Sequence, residues 1–280
     1  MQSPPDLTDR AALKRHRARA RRAPELFLHA LAADEIQERL IEVNRTFTSP
    51  AVVTGFPEPW QRGFPGAALV EDDETLALAP GAHDLVIHAL CLHWANDPVG
   101  QLVQCRRALR PDGLFLAVLF GGRSLHELRA ALAEAEVALT GGLSPRVLPM
   151  GEIRDLGGLL QRAGFALPVA DSALHTVSYQ TPFHLMRELR AMGETNALAA
   201  RHRRTTPRAL FAEAARRYAE AHAGPDGRIA ATAELIYLAG WAPADTQPKP
   251  LRPGSARTRL AEALGTTERM LGDGNGPGTD

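Results

Sequence analysis

Residues 84–120 read DLVIHALCLHWANDPVGQLVQCRRALRPDGLFLAVLF, and the rest of the chain is organised around them. Asp84–Leu90 is a short apolar run with Val86 and Ile87, the pattern of a strand buried on both faces. Asp97-Pro98 supplies an N-cap followed by Pro at the first helical position, where its fixed φ helps and its missing N–H costs nothing. The helix that follows turns Val99, Leu102, Val103 and Leu109 inward. It ends on Arg106 and Arg107, cations near the negative end of its dipole. Arg110–Gly113 (RPDG) is a turn, and Leu114–Phe120 is a second apolar strand. Strand, helix and strand form a βαβ unit, which needs a parallel sheet covered on both faces. Ligands of such sheets sit beyond the carboxyl ends of the strands, so the loop Cys91–Asp97 is the first place to look for chemistry.

At 280 residues the chain can bury a sizeable core, and its formal net charge of zero gives no global pull toward nucleic acid. Its two cysteines, Cys91 and Cys105, form no CxxC and no disulfide framework, which points to a reducing, cytoplasmic setting. No apolar run approaches the ~20 residues of a membrane span, and the N-terminus lacks the apolar core of a secretory signal. The strong charge asymmetry lies in residues 1–23. There Arg10, Lys14, Arg15, Arg17, Arg19, Arg21 and Arg22 outnumber Asp6 and Asp9. These residues favour a basic helix, read foremost as a solvated arm and otherwise as a contact for an acidic partner or a membrane surface. Two acids interrupt it as an organellar targeting peptide.

Glu25–Glu42 is an amphipathic helix with Leu26, Phe27, Ala30, Leu31, Ile36, Leu40 and Ile41 as its stripe. Ala51–Thr54 is a strand running into Gly55. The Pro-rich segment after it admits no long helix, and Ala67–Val70 is a further strand. The acid run Glu71–Glu74 reads as a solvated loop, although in a doubly wound sheet Asp72 could accept from a ribose or adenine. Ser124–Glu127 (SLHE) has the form of a capping box, opening a helix that Gly141 stops. Helices are expected over residues 152–163, from Thr181-Pro182, and from Thr206-Pro207 to about His222. Strands are expected over 165–169, 176–179 and 229–241, and a disordered tail over 272–280.

Candidate chemistry is sparse. His93, Trp94 and Asn96 share the loop after the first quoted strand, where His93 suits acid–base work and Trp94 could stack on a small molecule. Gly121-Gly122 after the second strand could let the backbone approach a ligand. No HExxH or Cys/His cluster points to a metal, and the Gly-x-Ser-x-Gly elbow and Walker A loop are both absent. Gly55 stands alone where GxGxxG or GxGxG is expected for a dinucleotide or nucleoside cofactor.

The quoted stretch, extended through Gly121-Gly122, resembles the fourth-to-fifth-strand segment of class I S-adenosylmethionine-dependent methyltransferases. More narrowly it resembles the respiratory complex I assembly factors of that superfamily. That likeness continues in GGRSLHELR (121–129), GGLSPR (141–146), RDLGGLLQRAGF (154–165), LMRELRAMGETNAL (185–198), GRIAATAELIYLAGWAP (227–243) and QPKPLRPGSA (247–256). The malonyl-carrier-protein methyltransferases of biotin synthesis share the general pattern, less so the later motifs. The resemblance implies a doubly wound, mostly parallel α/β sheet, Rossmann-like, with its first half shortened. About a dozen residues, Gly55–Ala67, stand where the family places a glycine loop, helix, strand and helix. It implies a basic and amphipathic helical arm at 1–45, a methyltransferase-like domain at 46–256 with a helical insertion near 182–222, and a tail at 257–280.

For the site, the resemblance implies S-adenosylmethionine as cofactor, with Gly55, Asp72, Cys91 and Leu92 on its side. His93 and Trp94 are the implied catalytic pair beside the methyl group. It further implies a protein substrate, a respiratory complex I subunit, with arginine hydroxylation as the activity attributed to the assembly factors. Because the glycine loop is missing, three functions stay open: a methyltransferase acting on a protein, an assembly or binding factor that does not bind S-adenosylmethionine, and a malonyl-carrier methyltransferase.

Overall fold

The computed structural model describes residues 6–248 and 265–266. Met1–Ala244 forms one compact unit and Asp245–Asp280 a second. The expected tail over 272–280 and most of QPKPLRPGSA lie outside the described residues.

The first unit is built on a six-stranded sheet in the order β2-β1-β3-β4-β6-β5. Strands β1 (Pro50–Thr54), β2 (Ala68–Val70), β3 (His83–Ala89) and β4 (Leu109–Phe120) are mutually parallel, while β6 (Ile229–Trp241) runs antiparallel to β4 and to the edge strand β5 (Ala166–Tyr179). This is the doubly wound, mostly parallel sheet that the central βαβ unit requires. Helix α3 (Pro57–Gly63) alone bridges β1 to β2, with Pro57 in its first turn, so the shortened first half is a single minimal crossover. Helix α4 (Pro98–Ala108) begins where expected, its Asp97 carboxylate accepting from Gly100 N–H at 2.8 Å. RPDG does not end as a turn before the strand. Instead β4 absorbs it, with Asp112 at φ 61° and its carboxylate held by Arg45 at 2.9 Å.

Two cores flank the sheet. Leu102 and Cys105 of α4, with Leu156 and Leu160 of α6 (Ile153–Arg162), cover one face of the central strands. Ile36 of α2 (Phe27–Val43) and Trp60 of α3 cover the other. Helix α2 buries Leu28, His29, Ala32, Ala33 and Ile36, whereas Ile41 is 77% exposed. The buried face is thus rotated from the expected stripe, because the helix packs against Trp60 and Phe64 rather than on the sheet alone.

Past Gly121 the chain enters α5 (His126–Thr140), and here the capping box fails. Leu125, not Ser124, precedes the helix, in a left-handed conformation. The Ser124 hydroxyl donates to Glu234 C=O at 3.0 Å, and Glu127 accepts from the Thr232 hydroxyl. Strand β6 has captured both side chains. Helices α7 (Pro182–Ala191) and α8 (Arg208–His222) pack with α5 around Tyr218 and Leu185. Thr181 caps α7, but Thr206 accepts from Arg146 at 3.0 Å instead of capping α8. The two short strands expected near 165 and 176 are one continuous β5.

Helix α1 (Arg10–Ala20) is no solvated arm. Ala12, Leu13, Arg17 and Ala20 are buried, and the helix packs with Trp94, Leu148 and Leu198. Among the described residues no helix is long and apolar enough to cross a membrane.

Candidate functional site

Strands β1 and β3 send their following helices to opposite faces, so their carboxyl ends splay into the crevice where open α/β sheets take ligands. Gly55 follows β1, Asp72 follows β2, and Cys91–Trp94 follow β3. Into this crevice α1 inserts Arg17. Its Nη1 lies 2.5 Å from Asp72 Oδ1, and both side chains are 6% exposed. A Cβ on Gly55 would fall 2.5 Å from the Arg17 Cζ, so the glycine is there to admit the guanidinium. Arg10 approaches the other Asp72 oxygen at 3.3 Å and donates to the Asp72 carbonyl. Lys14 pairs with Asp73 at 2.7 Å, and Arg21 donates to Gly55 C=O at 2.9 Å. The acid run is therefore not a freely solvated loop but the counter-surface of the basic helix. Burial works against the charge on Arg17, yet the carboxylates of Asp72 and Glu194 act against that, and its pKa is raised.

Cys91 and Leu92, both expected on the cofactor side, are buried. The Cys91 Sγ lies 3.5 Å from Val53 C=O and 3.4 Å from His88 Nδ1, and burial pushes its thiol pKa well up. Leu92 is packed into the core on the α4 side. His88, fully buried against Gln101 at 2.8 Å, has its pKa pushed down by burial to about 4 and is neutral. Gly121-Gly122 likewise serves the protein itself. Added Cβ atoms there would meet the carboxylates of Glu234 at 2.5 Å and Glu152 at 2.4 Å.

His93 and Trp94 form a second constellation, completed by a residue that sequence reasoning did not single out. Helix α7 ends through Gly193 at φ 80°, and the next residue, Glu194, turns its side chain inward. Trp94 Nε1 donates to Glu194 Oε2 at 2.8 Å, and His93 Nε2 lies 3.3 Å from the same oxygen. Burial raises the Glu194 pKa, but His93, Arg17 and Trp94 together lower it below the ordinary glutamate value. The carboxylate is thus ionised. The His93 ring packs edge-on to Phe120 at 5.2 Å, and its Nδ1 is buried without a hydrogen-bond partner among the described residues. Glu194 and Trp94 line one end of a cavity of about 870 Å3 that opens between α5, α7, α8 and the strands β5 and β6. The signal for Glu194 was its place in LMRELRAMGETNAL, but nothing local shows that its carboxylate meets a loop 100 residues earlier.

The methyltransferase-domain family matches residues 18–117. The mitochondrial arginine-hydroxylase NDUFAF5 of Dictyostelium discoideum is 40% identical over 70% of this chain and 45% of its own length. The human protein of that name is 37% identical over 75% of this chain and 60% of its own length. A malonyl-acyl-carrier-protein O-methyltransferase of Halorhodospira halophila is 32% identical over 72% of this chain and 67% of its own length. The chain belongs to the class I S-adenosylmethionine-dependent methyltransferase superfamily. Within it, this chain spans about half to three-fifths of the length of the arginine-hydroxylase relatives it matches.

The residues at the crevice of this superfamily member do not fit S-adenosylmethionine. The glycine loop that would let a nucleoside approach is absent, and Gly55 is spent on Arg17. Asp72, the expected adenine-side acid, already answers to two guanidiniums. The structure gathers Gly55 and Asp72 around Arg17, places His93 and Trp94 around Glu194, and leaves Leu92 in the core.

Proposed function

We propose that this chain is a methyltransferase-fold assembly factor for respiratory complex I, one that engages a protein subunit without taking S-adenosylmethionine in the usual crevice. The observation that carries this reading is Arg17, an internal cation seated between Gly55 and Asp72 where the cofactor belongs. A buried ion pair of this kind must be broken before another ligand can use Asp72, and breaking one costs about 3–5 kcal/mol. The kinship with the arginine-hydroxylases supports the assembly role, and the exposed cations Arg15, Arg19 and Arg22 of the N-terminal segment offer a surface for an acidic partner. Both cysteines are free and buried, which suits the cytoplasmic, reducing setting proposed here.

The malonyl-carrier reading requires the same methyl donor in the same crevice, so one measurement addresses both enzyme alternatives. Calorimetry of the intact chain with S-adenosylmethionine and S-adenosylhomocysteine should give no binding heat even at millimolar ligand. Micromolar binding that Asp72→Ala abolishes would overturn the proposal.

A further inference from the structure

The cavity between α5, α7 and α8 meets the Arg17 crevice only at its Trp94 and Glu194 end, and the rest of its lining comes from other elements. The helix-facing part of its wall is apolar, with Leu128 and Leu132 from α5, Val177 from β5, Leu185 and Met186 from α7, and Phe211 from α8. The cavity is open to solvent along part of its wall and measures about 870 Å3. It lies inside the roughly 300–1,000 Å3 typical of ligand sites. Phe183, 48% exposed, stands at its edge.

The polar groups around it are strongly one-sided. Arg146 is neutralised by Glu136 at 2.6 Å, and Arg201 by Asp9 at 2.8 Å. Arg187, Arg190 and Arg208 also line the cavity, are exposed, and show no carboxylate partner among the described residues. Among the described residues the one carboxylate in the lining, Glu194, is committed to Trp94 and His93. A cationic guest is therefore repelled at the rim. A wholly apolar guest leaves the arginines unused, and a guest with an apolar body and an anionic head satisfies both.

We propose that this cavity binds a single-chain anionic amphiphile, its alkyl chain between α5, α7 and α8 and its carboxylate or phosphate head on Arg187, Arg190 and Arg208. The site lies beyond the assembly role proposed above and does not depend on it.

The test is a fluorescence titration of the full chain with a dansyl-labelled fatty acid. Saturable one-site binding is expected, displaced by oleate or by oleoyl lysophosphatidate but not by oleyl alcohol. Whichever of the two anions displaces the probe at the lower concentration identifies the head group. Reversing the exposed rim with Arg187→Glu and Arg190→Glu should weaken binding by about tenfold or more, as lost charge pairing does. Filling the cavity from its exposed edge with Ala212→Trp should abolish binding while the melting curve is retained. The proposal is overturned by a non-saturating titration, by displacement with oleyl alcohol as effective as with oleate, or by unchanged affinity in a folded Ala212→Trp protein. The comparison of alcohol and anion needs no variant, so it decides the matter even if a substituted chain does not fold.

Discussion

Replacing Arg17 with Met removes the buried cation while keeping most of the side chain's volume. Both partners of the Arg17–Asp72 pair are 6% exposed, at 2.5 Å. Removing one member of such a pair leaves a charge stranded in the interior, at a cost of about 3–5 kcal/mol. Arg10 stays behind, 3.3 Å from the other Asp72 oxygen and itself 17% exposed, so the loss should fall near the lower end of that range. For a unit of this size, each kcal/mol lowers the melting temperature by about 2–4 °C, so a fall of roughly 6–12 °C is expected. Urea denaturation of wild type, Arg17→Met, Asp72→Asn and the double variant closes a cycle. Its coupling energy should reach about 2 kcal/mol, because each substitution makes the other cheaper. An Arg17→Met protein within about 1 kcal/mol of wild type, the range of exposed pairs, refutes the buried-pair reasoning and with it the claim that α1 is anchored in the crevice.

Two further substitutions test other parts of the fold. Hydrogen bonds from Arg146, opposed in part by burial and reinforced by Ser144, hold the Glu136 pKa at about 2 against an ordinary 4.5. A depressed acid stabilises in full above its unfolded pKa and loses that contribution as pH falls through the folded value. Thermal melts should therefore decline between pH values of about 4.5 and 2, and Glu136→Gln should flatten that decline while costing roughly 3 kcal/mol near neutrality. A variant whose acid limb matches wild type removes Glu136 as its source. Gly121→Ala would set a methyl 2.5 Å from a Glu234 oxygen already accepting from Arg123 N–H at 2.9 Å, and 2.7 Å from Ile236 Cδ1. Overpacking of this kind costs about 1–3 kcal/mol in denaturation experiments, and an unchanged midpoint contradicts it.

Features decided within a few residues were legible from the sequence. Asp97-Pro98 caps α4, Thr181-Pro182 opens α7, and the apolar runs flanking α4 pair in parallel as β3 and β4. Features settled by distant neighbours were not. The pattern at Ser124–Glu127 is locally perfect for a cap, but Glu234 and Thr232 claim both side chains from 110 and 105 residues away. Arg17 and Asp72 each look like ordinary surface charge, and only the meeting of α1 with the end of β2, 55 residues on, buries them. Helix α2 offers apolar residues on more than one face, and periodicity alone could not show which face Trp60 would cover. The missing glycine loop was visible as an absence, while the residue that fills its place was not. Glu194 escaped for the same reason: a lone acid after a helix gains meaning only beside Trp94.

The short segment from Arg21 to Leu26 that joins α1 to α2 gives the crevice an occupant on a leash. A tethered group competes at an effective concentration on the order of millimolar or above, irrespective of how much protein is present. Any diffusible ligand for Asp72 therefore faces a rival that cannot be diluted away. A protein that gains stability from a free cofactor melts higher as that cofactor is added. On the reading proposed above, this one carries its own counter-ion, so its melting temperature should not rise as the methyl donor is added.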